Sequence, residues 1–533
     1  MIQSSSSSSC DSTESKAHES CSSELSKVST GAIFVNLPFS LQISVAFITF
    51  VLILFAFIVY KLLRTPKETD SNKLYLGVLP VERWRESKQA RSKAQSKPIR
   101  VALLTYGTRG DVQPLVALAQ NLKKFEFEAI VCTADSFQSF IESQGCRFSS
   151  CGIATVEQPS FLFDSSKASS FSKVLQVVAD IYPKLATGMW AACREFQPDL
   201  IISQAVVRGI GAQIAEKLCI PHWVVHFAPS NSPTYEFPPA EYALSRYGWV
   251  NKLKYAHRNI EIAKAALATG LSKSDELFRR DVLGLPAPLD PLVLVRDMER
   301  DVSIHAYSPV LQPKPRDWPQ WHLVVGAFTL EDVVKEKPKE EAARKLDSDL
   351  DRFLNEGGPN DRSVYIGFGS MEGAEAQFEM AVRCVVRDLR LRAVVCADIS
   401  KERLREHILG GDPKDDSRVI LIRSAPHDLL FPRCALVIHH GGAGTTNAAI
   451  QAGVPQVVIP ILPWSDQPFW ANVVQRLGIG LRGLGDDPKL LVNNVRRCLE
   501  DEIMQERALA LKFAKHPDGA ERVAAMVNSL FRS

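Results

Sequence analysis

The sequence predicts an α/β chain of two doubly wound domains facing a cleft, preceded by one transmembrane helix. Three observations predict it. From residue 99 onward, short apolar runs of strand length alternate with helical stretches. A second alternation of the same kind starts after a Pro-rich and charged connection. Residues 41–60 form an uninterrupted run without a single charge. The 533 residues, 46% hydrophobic and 23% charged, are those of a folded chain too long for one core. Lys and Arg number 63 against 60 Asp and Glu, a net charge of +3. A dedicated nucleic-acid binder needs a concentrated basic footprint, so that class is set aside.

The first forty residues are a tail. Thirteen of the first 30 are Ser, and such a stretch cannot bury enough apolar surface to order itself. Residues 41–63 are read as a membrane anchor, long enough to cross the hydrocarbon core as a helix. A cleaved signal peptide would lie nearer the amino terminus and end in small residues, whereas Lys61, Leu62, Leu63 and Arg64 follow here. Lys61, Arg64, Lys67 and Lys73 follow the span, against Lys27 alone in the twenty residues before it. The positive-inside rule therefore puts the carboxyl-terminal bulk in the cytosol. Eleven irregularly spaced Cys and the absence of an acceptor Asn-X-Ser/Thr agree with that side. Residues 64–98 form a basic linker, which suits either anionic lipid or solvent.

The body begins at residue 99. Residues 99–104 make the first strand, and Tyr106-Gly-Thr-Arg-Gly-Asp-Val-Gln-Pro114 turns into a helix whose apolar face is Leu115, Leu118, Ala119 and Leu122. Residues 129–132 and 200–202 are further strands. This first domain is taken as 99–310 and the connection as 311–345, with the second domain at 346–533. Its strands are expected at 364–368, 393–396, 419–422, 435–438 and 456–459. Ligands then belong at the carboxyl ends of the strands.

The strongest local signal is Ile438-His-His-Gly-Gly-Ala-Gly-Thr-Thr-Asn447. A strand ends, glycines let the backbone come close to a ligand, and a helix opens at Thr445 with its N–H groups unpaired. His440 adds a donor, and the turn suits an anion, a diphosphate best. The Lys of a phosphate-transferring loop is missing. Gly367-Phe-Gly-Ser370 closes another strand and offers further donors. Asp466 and Gln467 present acceptors and donors suited to sugar hydroxyls, or a plain turn before Pro468. Asp111 is equally a helix cap before Pro114 and a carboxylate at the cleft able to deprotonate a hydroxyl.

Six stretches together resemble the sterol 3-beta-glucosyltransferases: residues 107–114, 308–318, 367–370, 426–432, 439–446 and 466–470. The likeness runs from about residue 100 to about 520 in the right order. It implies two Rossmann-like domains (the GT-B arrangement), the second holding UDP-glucose as co-substrate, with no cofactor and no metal, and inversion at the anomeric carbon. By position it implies that His440, Gly442, Gly444 and Thr445 hold the diphosphate, with Gly369 and Ser370 opposite. Pro426 and His427 then lie along the uracil, Asp466 and Gln467 hold the glucose, and Asp111 is the base. Ser424 and Ala448 stand where plant small-molecule enzymes place a uracil-stacking Trp and a ribose-binding Glu, and sterol enzymes lack both. The acceptor is expected along residues 222–239, with His222 and His226 structural. Residues 160–175, rich in Ser and Phe, are read as a lid.

The expectation is an anchored, cytosol-facing glucosyltransferase whose partners are a UDP-sugar, a sterol or similar lipid, and a membrane. Its rivals are an enzyme for a polyketide, phenolic or glycolipid acceptor, and an inactive nucleotide-sugar-binding adaptor.

Overall fold

The computed structural model describes residues 98–533, apart from 157–170, 230–231, 240–241, 243, 287–301, 331–345, 359–361, 370–373, 464, 485, 515 and 533. The tail, the expected anchor at 41–63 and nearly all of the basic linker lie outside the described residues, as does Ser370. Among the described residues no helix is long and apolar enough to cross a membrane. Of the expected lid, only the end from Phe171 is described, and a helix begins there.

Two parallel sheets form the body. The first holds β1 (Arg100–Leu104), β2 (Glu128–Thr133), β3 (Arg147–Ser150), β4 (Leu200–Gln204), β5 (His222–His226), β6 (Val302–His305) and β7 (His322–Val324), in the order β3-β2-β1-β4-β5-β6-β7. The second holds β8 (Val364–Gly367), β9 (Ala393–Cys396), β10 (Val419–Ile422), β11 (Leu436–His439), β12 (Gln456–Val458) and β13 (Gly480–Arg482), in the order β10-β9-β8-β11-β12-β13. All pairings are parallel, with Leu104 beside Cys132 on one flank of β1 and Ser203 on the other. Parallel strands need crossovers, and the helices of those crossovers cover both faces. The side chains show it. Val101 and Leu103 enter one core, while Ala102 and Leu104 enter the core on the opposite face. Ile366 and Tyr365 divide in the same way in the second sheet.

Each sheet has one place where strand order reverses: between β1 and β4, and between β8 and β11. The loops leaving these neighbours diverge and open a crevice. The helices that matter for it are α1 (Arg109–Lys124), α2 (Phe171–Phe196), α3 (Arg208–Leu218), α4 (Gly248–Ala268), α5 (Ala443–Ala452), α6 (Gln467–Leu477) and α7 (Gly519–Arg532).

Two boundaries differ from the sequence expectation. The first sheet continues past residue 310 to β7, so the Pro-rich stretch is a loop between β6 and β7. The last helix, α7, returns to the first domain, where Val523, Ala524, Val527 and Leu530 join the core of Leu115 and Leu122. The chain therefore crosses twice, and the crossings touch. Gly519 N–H donates to Ala327 O at 3.0 Å, and Arg522 Nη1 donates to Val325 O at 3.1 Å. Gly326 has φ +116°, and a Cβ there would stand 2.0 Å from Pro517 O, so the contact needs glycine.

Candidate active site

Asp111 is the third residue of α1, at the first reversal point. Thr108 caps the helix and Asp111 answers it: Thr108 N–H donates to Asp111 Oδ2 at 2.8 Å, and the Thr108 hydroxyl lies 3.2 Å from the same oxygen. The other carboxylate oxygen accepts from Gln204 Nε2 at 3.2 Å. Gln204 ends β4, the neighbour of β1 across the reversal. The turn needs Gly107, since a Cβ there would lie 2.3 Å from Asp111 Oδ2. Burial raises the Asp111 carboxyl to about 6, and the Thr108 bonds only partly offset this. The cap and the cleft-facing carboxylate are thus one geometry, since the bonds that cap α1 also fix the carboxylate.

The Gly-rich turn after β11 sits at the second reversal point. Its two histidines do different work. His439 is fully buried: Gly441 N–H donates to His439 Nδ1 at 3.1 Å, which leaves Nε2–H to donate to Gln456 Oε1 at 2.9 Å. It is a neutral clamp, held near 3 by burial. His440 is half-buried against Gly442 and Gly369, and its Nδ1 meets no partner. Burial lowers it to about 4, so the ring is neutral rather than a cation. Gly442 caps α5 without a side-chain bond, and a Cβ at Gly444 would meet open space. The helix opens at Ala443, two residues before the expected Thr445, and closes at Gly453 with φ +73°. Thr445 is half-buried, whereas the Thr446 hydroxyl is committed to Gly442 O at 3.0 Å.

Asp466 and Gln467 begin α6. Gln467 is buried, and its Oε1 accepts from Ile461 N–H at 2.8 Å and Leu462 N–H at 3.0 Å. That oxygen shapes the preceding loop rather than reaching into the cleft. Asp466 is half-buried, and its carboxyl rises to about 7, first through burial and then through the charge of Asp111. The Trp470 side chain and the Ala443 N–H pull it back. The carboxylates of the two domains, 355 residues apart, therefore converge beside the start of α5. Pro426 caps a short helix, and its carbonyl accepts from Leu429 and Leu430. The His427 ring stacks on Phe431 at 4.3 Å and feels the charge of Arg109 from the other domain. Tyr307 against Trp470 (5.7 Å) and Phe237 against Phe469 (5.9 Å) pack the two halves together beside α6.

Sequence reasoning missed Gln204 and Thr108. Thr108 was open to discovery as the Thr of a Thr-x-x-Asp cap, while nothing local marks Gln204. Of the stretch expected along the acceptor, residues 222–226 are strand β5, where His222 Nε2 lies 2.6 Å from Ser203 Oγ.

Comparison with known proteins agrees with this arrangement. A family model for the glycosyltransferase family 28 N-terminal domain matches residues 101–232. One for the C-terminal domain of erythromycin biosynthesis protein CIII-like proteins matches residues 414–528. The chain is similar to the sterol 3-beta-glucosyltransferase of Cryptococcus neoformans, 30% identical over 72% of this chain and 24% of that one. It is also similar to that of Arabidopsis thaliana, 29% identical over 82% of this chain and 66% of the relative. It thus spans about a quarter of the fungal relative and just under two thirds of the plant one. The fold is shared with the glycotransferase of kitacinnamycin (TM-score 0.57, 18% identity, 81% of this chain and 99% of that one). It is shared too with the Streptomyces nogalater glycosyltransferase SnogD (TM-score 0.54, 21% identity, 82% and 100%). Both halves match glycosyltransferase parts in the right order, on the two-domain fold of those enzymes, and the relatives in two kingdoms carry one description; the chain belongs to the sterol glucosyltransferase family.

Proposed function

We propose that this protein transfers a glucosyl group from UDP-glucose to the hydroxyl of a sterol or similar lipid alcohol, with inversion and without a metal ion. The observation that carries the reading is the convergence of Asp111 and Asp466 beside the start of α5, where the Ala443 N–H meets Asp466 and the glycine cap adds no side chain. Asp111 takes the acceptor proton as the hydroxyl oxygen attacks the anomeric carbon. The bond from that carbon to the diphosphate breaks on the opposite side. The departing oxygens gain charge, which the N–H groups of α5, the Thr445 hydroxyl and the neutral His440 N–H stabilise, with Gly369 beside His440. The N–H of His427 meets the uracil, since the Pro426 carbonyl is committed to its helix. Asp466 accepts from the glucose hydroxyls, while Gln467 supports them by shaping the loop at 461–462. The segment 41–63, built on the uncharged run at 41–60, is the proposed single anchor, with the catalytic body in the cytosol.

The test incubates the full chain with labelled UDP-glucose and a membrane lipid extract. A labelled sterol glucoside from the wild type, lost in Asp111→Ala, is the expected result. Equal product from both proteins removes Asp111 as base. Binding of UDP-glucose with no product from any lipid fraction removes the enzyme reading.

A further inference from the structure

Helix α4 is built inside out. Its buried residues are Asn251, Lys252 and Tyr255, all polar or polar-tipped. Asn251 Nδ2 donates to Tyr235 O at 3.2 Å and to Ser245 O at 3.1 Å, and its Oδ1 accepts from Ser245 N–H at 2.9 Å. Lys252 Nζ lies 3.9 Å from Asp317 Oδ2 and 4.5 Å above the Tyr235 ring. Asp317 in turn accepts from the Thr234 hydroxyl at 2.6 Å and from Tyr235 N–H at 3.0 Å. The polar face of α4 thus bolts the helix to residues 234–235, inside the segment expected to meet the acceptor.

The opposite face is apolar and open. Trp249, Leu253, Ile260 and Leu267 recur at helical spacing, so they form one stripe. Trp249 is 55% exposed, Ile260 45% and Leu267 64%. The loop leading in adds Leu244, 69% exposed, and Tyr247, 49% exposed, with Arg246 4.6 Å over the Tyr247 ring. A soluble surface rarely gathers large apolar side chains in one continuous patch without a partner. Its charge says which partner. Between residues 242 and 268, the buried Lys252 aside, stand Arg246, Lys254, Arg258 and Lys264, against Glu261 alone, which pairs with Lys264 at 2.8 Å.

We propose that this face of α4, with the loop at residues 244–247, lies in the surface of an anionic lipid bilayer. An apolar stripe flanked by cations and led by Trp and Tyr is the pattern of a helix lying in the membrane interface. Lys and Arg stems cover apolar surface while their heads meet lipid phosphates. The bolted geometry then holds the loop at 234–235 within one helix diameter, about 10 Å, of the bilayer, where a lipid acceptor is found. That consequence rests on the proposed lipid substrate; the docking itself does not.

The experiment embeds the full chain in bilayer discs of phosphatidylcholine and phosphatidylserine, with part of the lipid brominated in the acyl chain. Bromine quenches tryptophan emission only on contact. Docking predicts quenching in the wild type that Trp249→Phe lacks and that weakens when phosphatidylserine is left out. Ile260→Glu with Leu267→Glu abolishes the Trp249 share while leaving transfer to a micellar acceptor unchanged. The same pair lowers the ratio of bilayer to micellar transfer rates about tenfold. Identical quenching in wild type and Trp249→Phe overturns the proposal. So does a chain that self-associates in detergent, becomes monomeric with Leu267→Glu and shows no Trp249 quenching, because a second copy then covers the face. No transfer in micelles or bilayers, with Trp249 quenching intact, sinks the lipid glucosyltransferase and leaves the docking standing.

Discussion

Asp111 carries more consequences than any other side chain here. Its place in the cap of α1 fixes one carboxylate oxygen, and Gln204 holds the other from across the sheet. Its raised carboxyl, about 6, defines two pH effects of different origin. A base must be ionised, so transfer rises with pH through about 6 and levels above it. Stability runs the other way. A folded carboxyl that holds its proton more tightly than the unfolded chain favours the fold at low pH, and this share is lost as pH rises from about 4 to about 6. Asp111→Asn keeps an oxygen for the Thr108 N–H and removes the buried charge. It is expected to abolish transfer yet to gain about 1–2 kcal/mol at pH 8, a figure discounted because the group is only half-buried. The gain shrinks to nothing below about pH 4. Urea midpoints of both proteins at pH 8 and pH 4 check it; an equal difference at both would show that Asp111 is not a strained buried charge.

Under the proposed function, the Gly-rich turn divides its glycines between fold and ligand. Gly441 has φ +97°, and a Cβ there would stand 2.8 Å from Val458 Cγ1 and 3.0 Å from Gln467 O. Gly444 lies in helix α5 with open space at its Cβ position. Gly441→Ala is therefore expected to cost about 2–4 kcal/mol. Gly444→Ala is expected to leave the fold equal or firmer, by up to about 1 kcal/mol, while weakening UDP-glucose binding. Thermal unfolding with titration calorimetry separates the two; a Gly444→Ala protein that binds UDP-glucose as before would remove the diphosphate from this helix. This element was legible in the sequence because glycines and a strand end are local signals. Strands β1, β8, β9 and β10 were equally legible, since parallel strands buried on both faces are plain apolar runs. Strands β5, β6 and β7 were not. Histidines interrupt their runs at His222, His226, His305 and His322, and the fold buries them. His305 does so by stacking on Trp318 at 4.2 Å and on His226 at 5.0 Å. Gln204 stayed hidden for another reason: it reaches Asp111 through sheet order, across 93 residues of chain. Gln467 was marked as a site residue by its chemistry, but side-chain type does not reveal that its oxygen is committed to Ile461 and Leu462.

At the scale of the molecule, the two sheets are not two independent folding units, because the chain's last helix completes the first one. Val523, Ala524 and Val527 of α7 are fully buried and Leu530 nearly so, in the core built by α1 and β1. A burial of about 1.5–3 kcal/mol for each of the three larger side chains amounts to roughly 4.5–9 kcal/mol. That is comparable to the whole stability of an ordinary domain. A chain ending at Asp518 is therefore expected to lose the first domain while the second sheet, whose core draws nothing from α7, keeps its packing. Hydrogen exchange gives the two halves separately. Protection should fall to that of an unfolded chain in β1, α1 and β2, and persist in β8, β9 and β11. The crossing at Gly326 and Gly519 adds a finer version of the same test. Gly326→Ala places a methyl 2.0 Å from Pro517 O and should loosen α7 without deleting it, so protection in α1 falls before that in α5. Native protection of α1 in the shortened chain would mean that the first domain stands alone and that α7 only rests upon it.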